Sequence, residues 1–168
     1  MPLHEETVQM VILLAMGLAA AVADPVDFST TSQDGYLLHG ELDKPEGQSI
    51  GAVVMISGTG PFDRDMRLGR SGTERDAVFK DLGSRFAAHG LTSVRYDRRA
   101  VIHGAAPGQA VDVSAVPTVT AENLSLDAQA VYDWTRSEEG LGAKCVVVFA
   151  HSEGSVHLAG LAKRNVQP

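Results

Sequence analysis

Apolar residues fall along this chain in two rhythms. Ala52 to Ser57 is continuously apolar and reads as a strand buried on both faces. Leu91 to Tyr96 reads as the next strand, and Lys144 to Phe149, with the apolar run Cys145 to Phe149, as the last. Between them the spacing changes to that of a helix. Val78, Leu82 and Phe86 recur every fourth residue, with Phe79 alongside, and predict a helix over Arg75 to His89 that stops at Gly90. Thr120 is placed to cap a second helix, Ala121 to Arg136, with Glu122 favourable in its first turn. Leu124, Ala128, Val131 and Trp134/Thr135 mark its inner face, and Gly140 and Gly142 end it. A last helix runs from Glu153 to Arg164.

Ahead of these units, Val26 to Thr31 and Tyr36 to Leu42 flank Gln33-Asp34-Gly35, a hairpin signal, and Lys44-Pro45-Glu46-Gly47 makes a second turn. Residues 62–74 are polar loop. Asp97 to Thr120 is a long stretch of Gly, Ala and Pro without periodicity, a length that marks functional or mobile loops. Strands alternating with helices predict the α/β class: a mainly parallel sheet with helices on both faces.

Composition narrows the function classes. At 168 residues the chain is one domain at most. Its formal charge of −7 argues against a nucleic-acid surface, and Arg95, Arg98 and Arg99 are too few and too local to reverse that. The single cysteine, Cys145, excludes an internal disulfide or a cysteine zinc cluster and is expected to be a small core residue. No His/Asp/Glu pair has convincing ligand spacing, so neither a metal nor another cofactor is expected. Val8 to Ala23 is an apolar stretch ending Ala21-Val22-Ala23, which resembles a secretory signal peptide cleaved before Asp24. It is short for a membrane span. The leading His4, Glu5 and Glu6 lack the expected positive charge, and a start at Met10 would remove that conflict. Residues 1–23 are therefore read as a signal for export to the periplasm or medium, with a buried N-terminal helix as the alternative, and 24–168 as the folded domain.

The chemistry centres on Ala150-His151-Ser152-Glu153-Gly154, which follows a buried strand and opens a helix. A sharp strand–turn–helix with serine at its apex is the nucleophile-elbow pattern. The turn lifts Ser152 Oγ clear of the sheet. It also aims the Glu153 N–H at the same point, where the helix dipole favours negative charge. Ser57-Gly58-Thr59-Gly60-Pro61 follows the first apolar strand, and a freed Thr59 N–H would be a second oxyanion donor. The same residues suit an ordinary strand-to-loop turn. They do not suit a phosphate loop, because no Lys-Ser/Thr follows.

Four blocks together resemble the α/β-hydrolase superfamily, in particular bacterial serine aminopeptidase-like and dienelactone hydrolase-like enzymes. They are the loop Ser57 to Asp65, the helix Phe79 to Gly90, the strand end Val94 to Arg99, and the elbow preceded by Asn123 to Asp127. The resemblance spans about residues 26–164. It implies Ser152 as nucleophile and Thr59 and Glu153 as oxyanion donors. Ala150 and Ala100 stand where the family usually has glycine, so the loop at 100–120 is expected to run differently. The family's acid and histidine follow the serine, and nothing in the fourteen residues after Gly154 matches them. An incomplete hydrolase sheet is expected, with the strand at 144–149 open along one edge and prone to pair with a second copy.

Among the six histidines, His4 precedes the cleavage site, His39 lies in the hairpin and His89 ends a helix. His151 points away from its neighbour on a sharp turn, and His157 lies roughly 140° round the last helix, in a packing position. His103, in the long loop, alone has the freedom to swing over Ser152 and is the candidate base. Asp63 and Asp65 are expected to fix their loop with Arg64. The sequence thus predicts a serine esterase acting on small carboxylic esters, with amides as the nearby alternative. The competing reading is an inactive hydrolase fragment acting only by association. A carboxylate-nucleophile dehalogenase is disfavoured by serine at 152.

Overall fold

The computed structural model describes residues 23–67, 77–105 and 110–165. The proposed signal segment therefore lies outside the described residues, apart from Ala23. Five strands make one sheet. They are β1 (Val26–Thr31), β2 (Leu37–Asp43), β3 (Gly51–Ile56), β4 (Leu91–Tyr96) and β5 (Val146–Ala150). Among the described residues three α-helices accompany them: α1 (Val78–Ala88), α2 (Ala121–Arg136) and α3 (Gly154–Asn165). The spatial order is β1-β2-β4-β3-β5. The hairpin pairs antiparallel within itself and onto β4. β4, β3 and β5 are parallel, with Val53 opposite Ser93 on one side and Val147 on the other.

β3 lies inside the sheet and every residue of it is buried. Its alternation divides the core. Val53 and Met55 meet Phe79, Leu82 and Phe86 of α1 on one face. Ala52 and Val54 join a cluster with Val131 of α2 on the other, and Ile56 joins Ala128 of α2 and Leu161 of α3. Phe28 stacks on Trp134 at 4.3 Å, which fixes α2 over the hairpin. Thr120 caps α2 as its position predicts, accepting from the Asn123 N–H at 3.1 Å.

Two expectations change. The fully buried stripe of α1 is Phe79, Gly83 and Ala87, one position on from Val78, Leu82 and Phe86. The reason is close approach at a glycine. α1 lies over Asp43, and a methyl group on Gly83 would stand 2.3 Å from Asp43 Oδ2. Cys145 is exposed rather than core, because it immediately precedes the sheet-edge strand β5.

Beneath α1 lies a buried ion network that composition alone does not reveal. The Arg95 side chain has no solvent exposure and binds Asp43, Asp65 and Glu41. Burial works against its charge, but Asp43 and the other carboxylates outweigh it and hold the guanidinium above its ordinary pKa. Arg99 is enclosed between Asp127 at 2.6 Å and Asp34 at 2.5 Å. Arg64 pairs with Asp97 and Asp27. The arginines at the end of β4 are therefore internal struts.

Candidate functional site

The carboxyl ends of β3, β4 and β5 converge at one edge of the sheet, where ligands of open α/β sheets characteristically bind. β5 ends at Ala150, and α3 begins at Gly154. Between them Ser152 adopts φ 53°, a left-handed conformation that a non-glycine residue holds only at a cost of about 1–2 kcal/mol. The His151 N–H donates to Ile56 O at 3.0 Å and the Gly154 N–H to His151 O at 2.9 Å, so the turn is held on both sides. Gly154 has to be glycine: a methyl group there would stand 2.6 Å from Ile56 O and 2.9 Å from Ser57 O. Ser152 is exposed, and among the described residues its hydroxyl has no hydrogen-bond partner.

The loop after β3 reaches the same point. A methyl group on Gly58 would stand 2.9 Å from Ser152 Cβ, so glycine allows that approach. Among the described residues, neither the Thr59 N–H nor the Glu153 N–H has an acceptor. Arg98 ties the two segments together. Its guanidinium donates to Gly58 O and, at 2.8 Å, to Glu153 Oε2. That bond, aided by Thr59, lowers the Glu153 carboxyl below its ordinary pKa. The ion pair keeps the charge of Glu153 occupied beside its own N–H. The role of Arg98 is not visible from its spacing, although it lies in the strand-end block that carries the family resemblance.

His103 is brought to Asp63 rather than to Ser152. Its Nδ1 stands 3.3 Å from Asp63 Oδ2 and 3.7 Å from Asp97 Oδ1. The Asp63 bond raises the His103 pKa above its ordinary value, against the opposing effect of burial. Burial alone would raise Asp63, but His103 and Arg67 bring it below the usual carboxylate range. Arg64 turns instead to Asp97 and Asp27, which corrects the expectation that it fixes Asp63 and Asp65. Those two carboxylates bind Arg67, and Asp65 also binds Arg95.

Asp63, Asp65 and His103 bring ligand atoms within 4.8 Å of one another, a grouping that sequence spacing hides. A dication there would compete with the arginines already bonded to both carboxylates, so the donor set fits a structural salt-bridge cluster better than a metal.

The remaining histidines lie elsewhere. His39 and His151 are exposed, and His89 follows the last residue of α1. His157 is buried between α3 and α2, with Nδ1 2.9 Å from Ser125 Oγ; burial pulls its pKa down. Ala100, where the family usually has glycine, takes φ 63°, the conformation a glycine adopts freely. Its N–H donates to the Tyr36 hydroxyl at 2.9 Å. No helix among the described residues is long and apolar enough to cross a membrane.

No family model and no curated protein sequence matches the chain. Solved structures do match in fold. The α/β-hydrolase GrgF of a Penicillium species superposes with a TM-score of 0.59 at 19% identity, covering 83% of this chain and 42% of its own. An esterase of Pyrococcus furiosus gives 0.58 at 20% identity, with 84% and 47% covered. A bacterial heroin esterase gives 0.55 at 17% identity, with 95% and 44% covered. The chain spans less than half the length of these structures.

Proposed function

Starting from a chain that carries part of the α/β-hydrolase fold, we propose a serine hydrolase of small carboxylic esters that works through an acyl-enzyme on Ser152. The observation that carries the proposal is the left-handed φ of Ser152 at an exposed elbow, with unpaired N–H groups at Thr59 and Glu153.

In this reading Ser152 Oγ attacks the ester carbonyl and gives up its proton to a base. The carbonyl oxygen becomes an oxyanion held by Thr59 N–H and Glu153 N–H. The C–O bond to the alcohol then breaks, and the departing alkoxide takes the proton back. Water repeats the sequence on the acyl-enzyme and releases the carboxylic acid. His103 is the base, oriented through Nδ1 by Asp63, and its loop must carry Nε2 to the serine. The segment before Asp24 serves export.

Hydrolysis of p-nitrophenyl acetate and butyrate by the protein, beside Ser152→Ala, tests the reading. Turnover that the substitution removes supports it. Equal inertness of both proteins defeats it, and a rate that survives in Ser152→Ala assigns the turnover to another group.

A second reading has its own observation. β5 is an edge strand with Val147 54% exposed, a template for another strand. On that reading the chain acts by association with a further polypeptide or with itself, and Ser152 turns over substrate only in the assembled sheet.

A further inference from the structure

A cavity of about 280 Å³ opens between Thr59–Pro61, in the loop whose Gly58 approaches Ser152, and the chain that follows β4. Pro61, Ala100, Val101, Val111, Val116 and Val119 form its apolar wall, and Thr59 also lines it. The far wall is a built one. Val101 and Val111 bridge as in a strand pair. The Asp112 N–H donates to Ala100 O at 2.8 Å and the Ile102 N–H to Ala110 O at 2.9 Å. A 3-10 turn over Val116–Thr118 follows, tied back through Thr118 Oγ1 to Ala115 O at 2.7 Å. The stretch that lacks periodicity in sequence thus supports a row of valines facing the oxyanion loop.

The charge within the cavity is already spent. Arg98 is bound to Glu153 and to Gly58 O, and Arg99 to Asp34 and Asp127. Neither offers a free cation to a carboxylate ligand. Among the described residues no aromatic side chain lines the cavity for a flat ring to stack on, and its volume lies at the small end for ligand sites. A neutral aliphatic group fits this chemistry.

We propose that this cavity binds the aliphatic acyl chain of a neutral ester, and that Val111, Val116 and Val119 set the chain length accepted. The proposal rests on the serine-hydrolase reading for the identity of the chain, but the binding site itself stands apart from catalysis. Each methylene buried in such a wall strengthens binding about fourfold, until the cavity is full.

The test uses full-length Ser152→Ala protein and methyl alkyl ketones from 2-pentanone to 2-nonanone. They share the ester's shape and have no leaving group. Calorimetry is expected to show affinity rising about fourfold per methylene and then levelling. Val116→Trp is expected to flatten that dependence. Val116 is 45% exposed, so the larger side chain should leave the fold intact, which circular dichroism checks. Val113→Trp is the control, at a residue 79% exposed and outside the cavity wall, and it should keep the dependence.

Chain-length dependence that Val116→Trp leaves unchanged overturns the proposal, as does no dependence in the Ser152→Ala parent. Dependence that Val116→Trp abolishes, in a protein whose unsubstituted form hydrolyses no ester, upholds the cavity and defeats the hydrolase reading. Ester turnover by a protein without chain-length dependence does the reverse.

Discussion

Gly154 lies so close to Ile56 that a methyl group on it would stand 2.6 Å from the Ile56 carbonyl oxygen. This contact packs the start of α3 against the end of β3 and holds the Ser152 turn at its height. Gly154→Ala should push α3 off the sheet and destabilise the protein by about 1–3 kcal/mol, the usual cost of overpacking. Gly160 lies in the same helix, where the nearest atom to an added methyl group would be 3.7 Å away. Gly160→Ala should stabilise by roughly 0.5–1 kcal/mol through helix propensity. Urea denaturation of the two variants compares them. Equal midpoints would remove the close approach as the reason for glycine at 154.

The Asp63–His103 pair predicts a pH profile. As the proposed base, His103 would have to be neutral to accept the serine proton, and Asp63 raises its pKa. Activity should therefore rise with pH about a midpoint above the ordinary histidine value of 6.5. Asp63→Asn removes the negative partner and should move the midpoint down. The stability sign is opposite. The His103 contribution is complete below the unfolded pKa and is lost as pH rises through the folded one. The Asp63 contribution is present above its unfolded value of 3.8 and is lost as pH falls through its lowered folded pKa. kcat/KM against pH for both proteins is the measurement. An unmoved midpoint would take His103 out of the base role.

Arg95→Met tests the buried network. The substitution leaves Asp43 buried with its cation gone, and Asp65 with Arg67 alone. Breaking a buried pair from one side costs about 3–5 kcal/mol. Thermal unfolding should show that loss at neutral pH. A stability equal to the parent would show that water reaches these carboxylates.

These residues mark where sequence reading stops. The strand–turn–helix around Ser152 is legible because its parts are contiguous, and each leaves a local signature in Val146 to Gly154. Thr120 as a cap and Gly90 as a stop are local in the same sense. Arg95 and Asp43 are 52 residues apart, and Asp63 and His103 are forty apart. Only the antiparallel docking of β2 on β4 brings the first pair together, and only the loops after β3 and β4 the second. Gly83 is legible only once Asp43 is known to lie beneath it. Cys145 reads as core from its apolar neighbours because sequence does not show that β5 is the outermost strand.

That outermost position carries its own prediction. β5 is apolar throughout, and Val147 faces solvent. Light scattering should find a dimer or larger assembly, and Val147→Lys should shift it toward monomer, because a charge on an edge strand discourages pairing. A monodisperse monomer for the parent protein would remove the edge as an interface.

The proposed function requires Ser152 to be a nucleophile set in an oxyanion hole. Intact-mass analysis after treatment with a fluorophosphonate tests it most directly, because the reagent needs an activated serine and no particular substrate. One adduct is expected, located by peptide mapping to Ser152 and absent from Ser152→Ala. Failure of the folded protein to be labelled, or an adduct that persists in Ser152→Ala, would contradict it.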